Sequence, residues 1–402
     1  MDRISEVVPE SNSRNLQQFL THSKWDSREV INHVAIEADA LLGDTKETGL
    51  IIDESAFAKQ GKMSVGASRQ WLGRLGKVDN GQVAVFGVLA NDRFAAPIDV
   101  RLYLPKVWID DPERCNKAGI PVSEQQFKTK DELALEIVKN ARSIGLRYGW
   151  VGTDAGYGKG PGFFNKLDEM KEKFIIDLHS DFHVYKEHPN PYLPVKNKGR
   201  GRKYKNYRSE AKSIEVQEIV KNSNLDDQPV LKIRKTSRGS LKVQVLRVPV
   251  YIWDGETDAV KKRFLIVTKT CGSNSDLKIS MTNFSQSVSL KKLAWMQRQR
   301  FWVERVFEDA KSECGMADYQ VRKWNAWHHH MALVMMAVLF MLAERINYRD
   351  SYPLLSCADI EELLSKFLPR RDTTKEEIIR QLEYRHRKRL AAIESHKRCV
   401  SE

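Results

Sequence analysis

The 402-residue sequence predicts an α/β fold organised on a mixed sheet. Three short apolar runs, at 48–53, 147–153 and 174–178, are β-branched and of strand length, so they read as buried strands. A meander of alternating strands separates the first two, and a helix-patterned stretch precedes the second. Strands mixed with helices in this order call for a sheet with helices packed on its faces.

Taken from the start, residues 1–46 read as short helices, with apolar patches at Leu16, Phe19 and Leu20 and at Val30, Ile31, Val34 and Leu41. A small helical region ahead of a core suits DNA binding or plain packing, and no helix-turn-helix signature stands out. Residues 47–178 hold the first part of the core. Strands are expected at 48–53, 65–72, 82–89 and 97–104, with turns at Gly76, Asn80-Gly81 and Asn91-Asp92. Leu133, Ile137, Ala141 and Ile144 then mark a helix over 130–144. The run at 147–153 and the run ending at Ile52 are both followed by aspartate, Asp154 and Asp53. This order of elements matches an RNase H-like core, in which three antiparallel strands precede two further strands.

Residues 179–292 interrupt that core with a mainly β insertion, with strands expected at 230–234, 241–252 and 263–268. Its entry loop carries Lys196, Lys198, Arg200, Arg202, Lys203, Lys205 and Arg208 with two interleaved tyrosines and no acidic residue, which suits contact with a nucleic-acid backbone. Residues 293–349 return to the core with one helix to about Glu313 and a second over 324–347. Residues 350–402 form a basic helical tail.

Charge points the same way. Lys and Arg number 66 against 53 Asp and Glu, a net +13, which favours a polyanionic partner. The five cysteines form no CxxC pair and no zinc spacing, so reduced thiols are expected. The longest apolar run, 331–343, is 13 residues, short of the roughly 20 a membrane span needs, so a buried helix and a cytoplasmic protein are expected.

The chemistry rests on three carboxylates. In an RNase H-like sheet the first and fourth strands are neighbours, which would bring Asp53 beside Asp154. A helix over 300–311 would add Glu304, with Arg300 four residues before it and Lys311 seven after it on one face. Converging carboxylates repel one another, and hard divalent cations relieve that repulsion. Two such ions roughly 3.5–4 Å apart can clamp both oxygens of a displacement at phosphorus. Glu54 and Glu308 compete for the acidic roles. Three successive histidines, His328 to His330, point about 100° apart on a helix and cannot chelate one ion together.

Several longer motifs resemble the DDE transposases of bacterial insertion sequences, in the branch with a Tyr-Arg-Glu-Lys signature. They are Leu50-Ile-Ile-Asp-Glu-Ser-Ala-Phe-Ala-Lys-Gln-Gly61, Val65-Gly-Ala-Ser-Arg-Gln70, Leu102-Tyr-Leu-Pro105, Trp108-Ile-Asp-Asp-Pro-Glu-Arg-Cys115, Trp150-Val-Gly-Thr-Asp-Ala-Gly-Tyr-Gly158 and Val303-Glu-Arg-Val-Phe-Glu-Asp-Ala-Lys311. The resemblance implies metal-binding catalytic carboxylates at Asp53, Asp154 and Glu304, with Arg300 and Lys311 as the basic signature residues. The signature's tyrosine falls on Gln297, a departure. It further implies two Mg²⁺ ions, with Mn²⁺ as a substitute, strand cleavage at element ends and strand transfer into target DNA. The implied partners are double-stranded DNA with terminal inverted repeats, target DNA and a second copy of the chain in the DNA complex, at the bacterial nucleoid and without a membrane. A catalytically silent DNA-binding regulator and a nuclease without strand transfer are the competing readings.

Overall fold

The computed structural model describes residues 2–194, 205–236, 239–272, 275–371 and 374–400. The chain divides into two compact units, residues 26–354 and a smaller one that joins residues 1–25 to residues 355–402.

The smaller unit opens with α1 (Asp2–Val7) and α2 (Ser13–Thr21), the latter capped by the Asn12 side chain, which accepts from the Arg14 N–H at 2.8 Å. Charge and backbone contacts tie these helices to the chain's C-terminal end. Arg385 forms a two-pronged pair with Glu6, and the Arg371 N–H donates to the Val7 carbonyl at 2.8 Å.

The larger unit begins with α3 (Ser27–Leu42) and β1 (Asp44–Ala58), continues through β2 (Ser68–Leu72), β3 (Lys77–Asn91) and β4 (Phe94–Leu102), and passes α4 (Lys106–Ile109) and α5 (Pro112–Ala118) to α6 (Lys130–Ser143). Thr129 and Glu132 start α6 with a reciprocal capping box. Then come β5 (Tyr148–Thr153), α7 (Pro161–Glu169) and β6 (Phe174–Asp177). β3 pairs antiparallel with β1 and β4, while β5 pairs parallel with β1, and β6 parallel with β5. The spatial order β4–β3–β1–β5–β6 is the RNase H-like order that the sequence predicts. Helix α6 lies close on this sheet because Gly87 has no side chain; a Cβ there would sit 2.4 Å from Ile137.

The expected β segment follows. Short β7 (His183–Val184) and β8 (Ile214–Glu215), then α8 (Val216–Lys221), precede four strands: β9 (Val230–Thr236), β10 (Gly239–Trp253), β11 (Val260–Thr270) and β12 (Leu277–Thr282). These four do not form a sheet of their own. β12 pairs antiparallel with β6, Ser280 opposite Asp177, so one ten-stranded sheet runs through core and insertion among the described residues. The strand over 277–282 was not among those expected from sequence, since its polar positions mask the apolar ones.

The helix expected over 293–313 is two helices, α9 (Leu290–Arg298) and α10 (Arg300–Ser312). At the junction the Gln299 N–H bonds the Met296 carbonyl and the Trp302 N–H bonds the Gln299 carbonyl, both three residues back, which tightens the turn and divides the rod. Helix α11 (Trp324–Asn347) is long and apolar enough to cross a membrane, yet Trp327, Met331 and Met335 are buried and the helix packs on α3 and β4. α12 (Cys357–Phe367) and α13 (Lys375–Val400) complete the smaller unit.

Candidate active site

Parallel pairing of β1 with β5 sets Ile52 opposite Thr153, so Asp53, within β1, and Asp154, just past the end of β5, lie side by side. Neighbouring strands lie about 4.8 Å apart, so the two carboxylates are close neighbours. Alternation along β1 sends Asp53 and Glu54 to opposite faces. Asp53 meets Arg300 of α10 at 3.3 Å, whereas Glu54 is paired with Lys130 at the start of α6 at 2.5 Å. Asp53 shares Arg300 with Glu304, whereas Glu54 is held by Lys130, although both line the cavity beside Glu304. Asp154 closes a small turn, accepting the Gly156 N–H at 3.0 Å.

Arg300 is the hub. Its guanidinium reaches Asp53, Glu304 at 3.1 Å and Asp177 at 3.7 Å. Burial works against its charge, but Asp53, Glu304, Asp177 and Asp154 outweigh burial and hold its pKa above the ordinary value. Asp53 shows the opposite imbalance. Burial, with repulsion from Asp154 and Glu304, pushes its carboxyl up to about 7 against the pull of Arg300 and the Glu54 N–H. Asp177, also raised by burial, is steadied by a hydrogen bond from Ser280 at 2.5 Å.

Lys311 borders two adjoining cavities that share Asp53 and Glu54. One, of about 980 Å³, is lined by Arg300, Glu304 and Glu308 of α10; the other, of about 650 Å³, by Asp154, Tyr157 and Lys130. The Lys311 ammonium lies 5.6 Å from the centre of the Phe57 ring. Glu308, the second competitor, pairs with Arg305 at 3.1 Å. Of the basic loop, Lys196, Lys198, Arg200, Arg202 and Lys203 lie outside the described residues. Lys205 and Arg208 are exposed, and the Arg208 backbone pairs with Tyr192, which closes the base of the loop.

Gln297, where the signature has tyrosine, is buried against the sheet. It accepts from Thr268 at 2.5 Å and donates to Ser280 at 2.7 Å, and so supports the Ser280–Asp177–Arg300 chain. Sequence reasoning missed Asp177 as a partner of Arg300. Its signal was present, a third apolar strand with an aspartate near its end. Ser280 and Gln297 carried none, because their meeting depends on β12 joining β6. The histidines diverge: His328 packs between Trp324 and Trp327, and His330 lies beside Tyr319.

Among the described residues no three carboxylate, thiol or imidazole groups form a ready ion cage, and Glu304 is paired with Arg300. The donor set nevertheless fits a hard cation. It consists of oxygens, and the raised Asp53 carboxyl shows too little counter-charge for the carboxylates gathered there. Asp53 and Asp154 would hold such an ion, joined by Glu304 on release from Arg300.

Residues 1–239 match the family model described as DDE superfamily endonuclease. A probable transposase for insertion sequence element IS701 from Microchaete diplosiphon is 32% identical over 187 residues, 46% of this chain and 45% of the relative, so the match spans about half the relative's length. Among solved structures, the NurA nuclease from Sulfolobus solfataricus aligns over 86% of this chain and 100% of its own, at 10% identity and a TM-score of 0.28. Similarity that low carries no argument.

Proposed function

The chain belongs to the DDE superfamily endonucleases, and from that premise we propose that it is a DNA transposase. It would cut DNA at the ends of an insertion sequence and join the freed 3′ hydroxyl to a target strand. The observation that carries this reading is the placing of Asp53 and Asp154 on neighbouring strands just past the Ile52–Thr153 pair, with Arg300 linking Asp53 to Glu304. The similarity to a probable transposase for an insertion sequence element supports the same activity.

In this reading Asp53, Asp154 and Glu304 hold Mg²⁺, which when bound supplies charge neutralisation at phosphorus and an activated water. Arg300 and Lys311 bind non-bridging phosphate oxygens, where negative charge grows during displacement. For Glu304 to reach the ion, Arg300 must release it, and an incoming phosphate offers the guanidinium a stronger partner. The exposed Lys205 and Arg208, with the rest of their loop, contact the DNA backbone. The substrates are DNA bearing terminal inverted repeats and a target duplex, handled by two copies of the chain in the bacterial cytoplasm.

The test is Mg²⁺-dependent cleavage of element-end DNA by wild type and by Asp154→Asn. Cleavage by wild type alone is expected; equal nicking by both would sink the assignment. Products joined to a target plasmid separate a transposase from a nuclease that only cuts.

A further inference from the structure

Tyr157 has a feature that neither packing nor the carboxylate scheme uses. The residue is 2% exposed, and its ring packs on Phe163 with centroids 5.7 Å apart. Its hydroxyl has no hydrogen-bond partner among the described residues. Burying a hydroxyl without a partner costs on the order of 1–3 kcal/mol, and a phenylalanine would fill the same space without that cost. A phenol carries its proton near neutral pH and so has a hydrogen bond to donate.

The residue lines the 650 Å³ cavity on the Asp154 side. That cavity is bordered by Lys130, Lys159 and Lys311 and by the rings of Trp71 and Tyr103. Trp71 is 58% exposed, an unusual cost for a large apolar ring unless something stacks on it. Cations at the rim, exposed aromatic surface and a buried donor near the floor together describe a place for a nucleotide backbone and base. The same lining holds Asp53, Glu54, Asp131 and Asp154; Lys130 pairs with Glu54, Lys159 acts on Asp131, and Asp53 and Asp154 are the groups assigned above to the cations.

We propose that this cavity receives the DNA strand next to the cleaved bond, and that the Tyr157 hydroxyl, closed to solvent in the DNA-free protein, turns to donate its hydrogen bond to a backbone oxygen of that strand. The inference rests on the DNA reading of the site. It adds a positioning residue and a direction, with the strand crossing Asp53 from the Arg300 side into the Tyr157 side.

The experiment compares wild type with Tyr157→Phe in two measurements. The first is melting temperature without DNA, where the variant is expected to be unchanged or up to about 3 °C higher. The second is binding of a short fluorescent single-stranded oligonucleotide in Ca²⁺, where it is expected to bind about tenfold more weakly. A merely structural hydroxyl would lower the melting temperature, and that result overturns the inference. Equal binding by wild type and variant also overturns it while leaving the transposase reading intact. Failure of wild type to bind at all overturns both. Lys159→Gln, on an exposed residue, gives a second check: the salt dependence of binding should fall by about one unit of slope, and an unchanged slope counts against the cavity.

Discussion

Two aspartates on one sheet, the buried Asp99 of β4 and the half-buried Asp53 of β1, are treated in opposite ways. Asp99 is 0% exposed and fully answered: Arg28 at 2.5 Å, Arg101 at 3.2 Å, Asn140 at 3.0 Å and the Val100 N–H at 2.7 Å all donate to it. These partners tie α3 and α6 to the sheet. Among the described residues Asp53 has one cation, shared with Glu304 and Asp177, and it lies beside Asp154 of the neighbouring strand. A carboxylate saturated by its own chain is a structural fastener. One left short of positive charge has capacity for a ligand, and this contrast marks the site better than burial does.

Variants can break the contrast, and the largest effect is expected at Asp53. Asp53→Asn should lower Mg²⁺-dependent cleavage by about 10³-fold or more while leaving the melting temperature unchanged or raised at pH 8, since it removes a poorly neutralised, half-buried charge. Parallel cleavage assays and thermal melts check both halves. Asp99→Ala should do the reverse, costing about 3–5 kcal/mol in denaturant unfolding by taking the carboxylate from Arg28 and leaving Arg101 only Glu136. Cleavage per folded molecule should hold. Arg300→Gln should lower turnover by about 10²-fold. Its cost in stability should be small, because Asp53, already raised to about 7, can take up a proton once the cation is gone.

The smallest effect concerns His328, whose nearby charges include Arg28 and Arg101, the partners of Asp99, and His329. Burial, with repulsion from these neighbours, lowers its pKa to about 3, against the help of the Trp324 carbonyl. The folded state thus binds fewer protons than the unfolded chain between about 3 and 6.5. Stability contributed by the neutral ring is fully present above 6.5 and falls as pH drops through that window. Thermal melts from pH 7 to pH 4 should show a steeper decline for wild type than for His328→Phe.

Much of this was legible in the sequence because its signals are local. The runs before Asp53 and Asp154 are apolar and β-branched, and the three-then-two strand order follows from where the turns fall. The spacing of Arg300, Glu304 and Lys311 needs only one helix, and that helix exists. What escaped depends on distant segments meeting. The continuous sheet requires β12 to pair with β6, which no local pattern encodes, and the roles of Ser280 and Gln297 follow from that pairing. The division of one expected helix at Gln299 turns on two short-range hydrogen bonds. Placing Asp53 and Glu54 on opposite faces needed the positions of Arg300 and Lys130.

The central claim is that Asp53 and its neighbouring carboxylates are held short of positive charge to take up divalent ions. Mn²⁺ binding to the DNA-free protein, followed by electron paramagnetic resonance for wild type and Asp53→Asn, tests it most directly. Saturable binding by wild type that the substitution abolishes is the predicted result; identical Mn²⁺ binding by both proteins would contradict it.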